Sequence, residues 1–159
     1  MKYSTCVITV SDRCYRGEAE DTAGPAVSKL LAENGFDVFE TRILPDENAL
    51  ISSCLIECAN ARASLIVTVG GTGLSKRDVT PEATAAVCEK FVPGIPEAMR
   101  ALSLELTDRA MLSRSICGVR GNSIILNLPG SLKAATENLS FVIKTLSHAI
   151  LMLNGGAHN

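Results

Sequence analysis

The chain has 159 residues, 47% of them apolar, and a formal net charge of −2. That length fits one domain over residues 1–159 with a proper buried core, and the spread of apolar residues excludes a disordered chain. Six aromatics and no basic run argue against nucleic-acid binding, and no stretch reaches the roughly 20 apolar residues of a membrane span. The start, MKYSTCVITVSDR, carries one lysine and an apolar run too short for a signal peptide, so the chain reads as cytosolic.

In chain order, Thr5–Val10 is predicted as a strand. Pro25 is an early position of a helix that runs to about Asn34 and stops at Gly35. Val38–Leu44 is the second strand, and Asn48 caps a helix to about Ala61. Leu65–Val69 is a short, wholly apolar or β-branched strand, as one covered on both faces should be. Pro81 then opens a helix to about Lys90, with Thr80 as its cap, and Ile95–Leu106 is a further helix. Two apolar segments flank Gly121-Asn122, a hairpin signal. The last helix, after Leu128-Pro129-Gly130-Ser131, carries Leu139, Val142, Ile143, Leu146 and Ile150 on one stripe. The alternation gives an α/β fold: a three-layer α/β/α sandwich around a mostly parallel, mixed sheet. Ligands of such sheets bind at the carboxyl ends of strands.

The loops at those ends hold the chemistry-bearing residues. Gly70-Gly71-Thr72-Gly73 leads to Lys76-Arg77-Asp78 and a helix start, an arrangement suited to holding a phosphate on bare backbone N–H groups. It is neither GxxxxGK[ST] nor a dinucleotide fingerprint. Its bland reading is a tight turn that needs positive φ. A carboxylate beside such a loop calls for an intervening cation, and Mg²⁺ is the usual one for Asp78. Asp46, after the second strand, is a second metal or substrate contact at the same end of the sheet, or else a solvated turn residue with Glu47. Pro129, Gly130 and Ser131, with Lys133 behind them, form a second backbone cradle or a plain turn. Ser11 and Asp12 open a polar loop after the first strand, with Arg13 and Arg16 in reach of an anion.

Both histidines, His148 and His158, lie in the last dozen residues, so a histidine base at these loops is not expected. The site reads as one of positioning and charge neutralisation, the demand of phosphoryl or nucleotidyl transfer. The six cysteines (Cys6, Cys14, Cys54, Cys58, Cys88, Cys117) form no CxxC pair. They read as reduced core residues, with two metal ligands on one helix face at Cys54 and Cys58 as the alternative.

The motifs "TVSDR", "AGP", "LPDE", "GGTGLSKRDVTPEAT", "MLSRSICGVRG" and "IILNLPGS", in this order along nearly the whole chain, resemble the molybdopterin adenylyltransferase family. That family includes MogA-type enzymes and the G domains of gephyrin-like proteins. The resemblance implies AMP transfer from Mg-ATP to the terminal phosphate of molybdopterin, with release of pyrophosphate. It also implies Asp46 and Asp78 as the key acidic residues and metal contacts. Gly70, Gly71, Thr72, Gly73, Arg77, Thr80, Pro129, Gly130, Ser131, Lys133, Ser11 and Asp12 are the implied substrate contacts. Mg²⁺ is the implied cofactor; a homotrimer and a downstream metal-insertion protein are the implied partners. Leu132 departs from the proline or lysine often found after LPGS in the family. Two other readings stand beside this one: a MoaB-like pterin binder, including a tungsten-pathway relative, and a gephyrin-like trimeric scaffold module.

Overall fold

The computed structural model describes residues 2–156; His158 lies outside them. Six strands form one sheet: β1 (Tyr3–Val10), β2 (Phe36–Leu44), β3 (Leu65–Val69), β4 (Lys90–Phe91), β5 (Cys117–Arg120) and β6 (Ser123–Leu128), in the order β2-β1-β3-β6-β5-β4. The four strands β2, β1, β3 and β6 run parallel, β5 pairs antiparallel with β6, and β4 antiparallel with β5. The mixed, mostly parallel α/β/α sandwich read from the sequence is therefore the fold.

The helices are α1 (Asp12–Tyr15), α2 (Ala23–Glu33), α3 (Asn48–Asn60), α4 (Thr80–Val87), α5 (Gly94–Leu104) and α6 (Leu132–Leu153), with a 3-10 segment at Asp108–Leu112. Alternation along the strands splits the core into two. Val7, Leu65, Val67, Leu126 and Leu128 pack towards α2, α5 and α6, where the whole Leu139–Ile150 stripe is buried. Cys6, Ile8, Ile66 and Ile125 face α3 and α4. Among the described residues no helix is long and apolar enough to cross a membrane.

Several boundaries differ from the sequence reading. The α4 helix ends at Val87 rather than near Lys90, because Lys90 and Phe91 pair with Val119 and Gly118 on β5. Asn48 is the first helical residue of α3 rather than its cap; Glu47 holds the cap position without a side-chain hydrogen bond. All six cysteines are free thiols. Burial pushes the Cys117 thiol up to about 12 and that of Cys88 up to about 11, so both stay neutral.

One buried polar residue links the core to the site. Asn127 on β6 donates to Thr68 Oγ1 and to Thr84 Oγ1, each at 2.9 Å, and accepts from the Ile116 N–H at 3.2 Å. It thereby fixes β3, the helix after the glycine loop and the approach to β5 in one network. A buried amide satisfied on both ends specifies a geometry that an aliphatic residue could not.

Candidate active site

The chain leaves β1 towards β2 on one side and returns to β3 on the other, so the sheet has a topological switch point between β1 and β3. Loops after β1, β2, β3 and β6 converge at the carboxyl ends of these strands, where such folds form a crevice.

A cavity of about 280 Å³ lies there, lined by Ser11 and Asp21 from the first loop, Asp46 from the second, Gly70, Gly71 and Asp78 from the third, and Gly130 from the fourth. The glycines are needed at this junction. Gly70 has φ of +105° and Gly71 of +69°, a region that L side chains rarely adopt. A Cβ on Gly70 would meet the Val10 carbonyl oxygen, and one on Gly71 would meet Thr80 Oγ1 and stand 3.1 Å from Asp46 Oδ1. The glycine and LPGS loops touch backbone to backbone, since a Cβ on Gly130 would lie 3.3 Å from Gly70 Cα.

The carboxylates are held by backbone groups. Asp12 and Asp46 form a reciprocal pair: the Asp12 N–H donates to Asp46 Oδ2 and the Asp46 N–H to Asp12 Oδ1, both at 3.0 Å. Asp78 Oδ2 accepts the Ser75 N–H at 2.9 Å, which curls the loop back on itself. Burial, together with the nearby charges of Asp12 and Asp78, pushes the Asp46 carboxyl up. Asp12 goes the other way, to about 2, because the Arg77 guanidinium grips it.

That grip revises one expectation. Arg77 donates from Nε and Nη2 to the two Asp12 oxygens at 2.9 Å each, so this cation is already paired instead of being free to meet a phosphate. Arg16 likewise pairs with Glu18 at 2.9 Å, and neither it nor Arg13 lines the cavity. Thr80 corrects a second one. It is the first residue of α4, with Val79 at the cap position, and its hydroxyl caps nothing. Its N–H donates to the Gly71 carbonyl at 3.1 Å, closing the loop, and its Oγ1 is buried without a hydrogen-bond partner beside Gly71. Ser11 and Ser131 are both helix caps: their hydroxyls accept from Cys14 N–H and Ala134 N–H at 3.2 Å.

A second cavity, of about 330 Å³, lies across the LPGS loop, lined by Pro129, Ser131, Lys133, Arg100, Arg109 and Asn138 among others. Gly130 thus faces one cavity while its neighbours Pro129 and Ser131 face the other. Leu132 begins α6 and is 46% exposed. Thr72 is buried and Gly73 sits against the Asp78 carboxylate; the backbone carbonyls of both accept hydrogen bonds from Arg114. Among the described residues no histidine lines either cavity.

Residue-by-residue reading of the sequence missed Arg114. Its N–H donates to the Thr72 carbonyl at 3.0 Å, its Nε to the Gly73 carbonyl and its Nη2 to the Asp78 carbonyl, both at 2.8 Å, while Nη1 pairs with Glu82. It clamps the glycine loop from both ends. The only sequence signal was its place inside "MLSRSICGVRG". Arg100 and Arg109 were missed as well; Asp21, in the polar loop after the first strand, accepts from Thr9 Oγ1 at 2.7 Å and from the Gly24 N–H at 3.0 Å.

A family model described as a probable molybdopterin binding domain matches residues 6–148. The chain belongs to that family. A relative within it, the molybdopterin adenylyltransferase of Helicobacter pylori strain J99, is 40% identical over 153 residues, covering 94% of this chain and 86% of the relative. Among solved structures, the molybdopterin biosynthesis enzyme MoaB of Thermus thermophilus is 42% identical with a TM-score of 0.92, over 99% of both chains. The tungsten cofactor synthesizing protein MoaB of Pyrococcus furiosus is 30% identical with a TM-score of 0.89, over 96% of this chain and 97% of that one. The family resemblance read from the motifs therefore holds along nearly the whole chain.

Proposed function

We propose that this chain is a molybdopterin adenylyltransferase, moving AMP from ATP to the terminal phosphate of molybdopterin. The observation that carries the reading is the pair of cavities meeting across Gly130, one ringed by carboxylates and the other holding cations. Two anionic substrates need two neighbouring seats with their reacting phosphates brought together. The nucleotide occupies the cavity at Gly70-Gly71, where backbone N–H groups and the start of α4 offer positive ends to a phosphate. Molybdopterin occupies the cavity with Lys133, Arg100 and Arg109.

In the reaction, an oxygen of the molybdopterin phosphate bonds to the α-phosphorus of ATP, and the bond from that phosphorus to the β-phosphate oxygen breaks. Pyrophosphate leaves with the electron pair. A phosphate monoester, with a second pKa of about 6, is already largely dianionic at neutral pH, so no general base is needed. Cavities lined by carboxylates and by cationic side chains accord with that chemistry.

The first cavity fits Mg²⁺. Asp46 and Asp78 both line it and present hard carboxylate oxygens to one space, the donor set that suits a divalent cation. Bound there, Mg²⁺ supplies charge neutralisation for the nucleotide phosphates. The chain's own part is to hold both carboxylates by backbone hydrogen bonds and to keep the glycine loop open with Arg114.

We assign the protein to the cytoplasm, where six unpaired thiols are at home. The product passes to a metal-insertion protein. MoaB-type likeness at 42% identity keeps a variant pterin route, tungsten included, as the second reading. The deciding experiment incubates the full chain with ATP, Mg²⁺ and molybdopterin. Pyrophosphate and adenylylated molybdopterin are expected, with no ATP turnover when molybdopterin is left out. A chain that binds pterin but releases no pyrophosphate is a binding or scaffold module instead.

The assembly is a homotrimer in this proposal. Phe141 and Met152 on α6 are exposed beside a groove lined by Val92, Ile95 and Val119, more apolar surface than a lone sheet leaves open. Sedimentation at micromolar concentration is expected to give a single trimeric species. A single species at 16.8 kDa refutes it.

A further inference from the structure

Away from both cavities, between β1, β2 and α3, the side chains of Cys6, Glu40 and Cys58 each bring one ligand atom to within 4.8 Å of the others. Cys6 and Cys58 are fully buried, while the Glu40 side chain is 29% exposed at the sheet edge.

A backbone irregularity creates this meeting. Thr5 pairs with Val38 but Cys6 pairs with Glu40, so Phe39 is an extra residue on β2. In an unbroken strand, residues two apart share a face. Here Val38 packs with the core under α2 and α6, whereas Glu40 turns to the opposite face and stands 3.9 Å from Cys6 Sγ. Bulges re-aim side chains in this way. This one puts a carboxylate against thiols on a face otherwise built of Ile8, Ile51, Leu55 and Ile66.

The surroundings add a counter-charge. Cys54, one turn before Cys58 on α3, is buried in the same core beside the cluster. Arg42 donates to Cys54 Sγ at 3.5 Å and to Glu40 at 2.6 Å, and pairs with Glu57.

We propose that Cys6, Cys58 and Glu40 form a binding site for one thiophilic divalent cation, with Zn²⁺ as its occupant. Thiolate donors select zinc over Mg²⁺ or Ca²⁺, and a set of three protein ligands leaves the fourth tetrahedral position to a water. With zinc–sulfur bonds of about 2.3 Å, tetrahedral geometry sets the ligand atoms roughly 3.8 Å apart, so the cluster needs only a small closure. Two thiolates and a carboxylate leave a bound Zn²⁺ with one excess negative charge, which the Arg42 guanidinium on Glu40 offsets. The thiol protons pass to solvent on binding. The ion ties edge strand β2, whose end carries Asp46, to β1 and α3.

The test titrates Co²⁺ into the reduced, chelator-treated full chain. One equivalent is expected to give tetrahedral d–d bands and a thiolate charge-transfer band, displaced by Zn²⁺. Cys58→Ser removes the charge-transfer band, and Cys88→Ser leaves it unchanged. Glu40→Gln, at a partly exposed position, weakens binding by at least about 10–100-fold, the range already met when only an outer partner of a ligand is lost. It carries the test should Cys58→Ser fail to fold. Absence of the band overturns the proposal, as does a band indifferent to Glu40→Gln. A Cys6–Cys58 disulfide that forms readily in a chain retaining no metal after reduction overturns it too.

Discussion

Asp78→Asn is expected to lower adenylyl transfer by at least about 10²–10³-fold, the usual cost of removing one group placed to meet transition-state charge. The substitution is isosteric. An asparagine oxygen still accepts the Ser75 N–H that Asp78 Oδ2 now accepts at 2.9 Å, so the loop keeps its curl. Arg114 continues to hold the carbonyls of Thr72, Gly73 and residue 78. What disappears is one negative charge in a cavity where Asp46 and Asp78 together would hold Mg²⁺. Thermal stability should therefore change little, within about 0.5 kcal/mol, and pterin affinity should persist because the cavity with Lys133 is untouched. The measurement is pyrophosphate release at saturating Mg²⁺, beside direct molybdopterin titration. Unchanged turnover removes Asp78 from the metal site.

Much of the fold was legible because its signals are local. The apolar run Leu65–Val69, the stripe from Leu139 to Ile150 and the hairpin at Gly121-Asn122 each declare themselves within a few residues, and each is found as read. The convergence of loops followed from strand alternation alone, since parallel strands place their following loops at one end. The pairings across that end were not legible. Arg77 meets Asp12 across 65 residues of sequence and Arg114 meets the glycine loop across about 40, and no local pattern encodes either. Thr80 illustrates a different limit. A threonine before a helical proline looks like a cap, but here its N–H is spent on Gly71 and its side chain is turned into the loop. Tertiary closure outweighed a capping preference of about 1 kcal/mol. The spacing of Cys54 and Cys58 was visible as one helix face, whereas the meeting of Cys58 with Cys6 and Glu40 depends on a one-residue bulge.

Asp46 should act on the nucleotide and not on the pterin. It lines the cavity with Gly70 and Gly71, while the cavity that holds Lys133 and Ser131 lies beyond Gly130. Asparagine is the informative replacement, because an alanine would also strip the Asp12 N–H of its acceptor and unsettle the Asp12–Arg77 pair. Losing one charge-assisted contact costs about 1.5–3 kcal/mol, so nucleotide affinity should fall roughly ten- to a hundredfold with molybdopterin affinity nearly intact. A pH signature separates this role from a structural one. Burial and the neighbouring carboxylates raise the Asp46 carboxyl above the ordinary aspartate range, so it takes up a proton sooner on acidification than an exposed aspartate does. If the ionised form is needed, kcat/KM for ATP in the wild-type chain falls as pH drops through that raised value. Asp46→Asn should lose this acid limb along with the affinity, whereas a merely structural change would leave the limb in place. Separate titrations of ATP and molybdopterin against the variant complete the test. Collapse of pterin binding with ATP binding preserved assigns Asp46 to the other substrate.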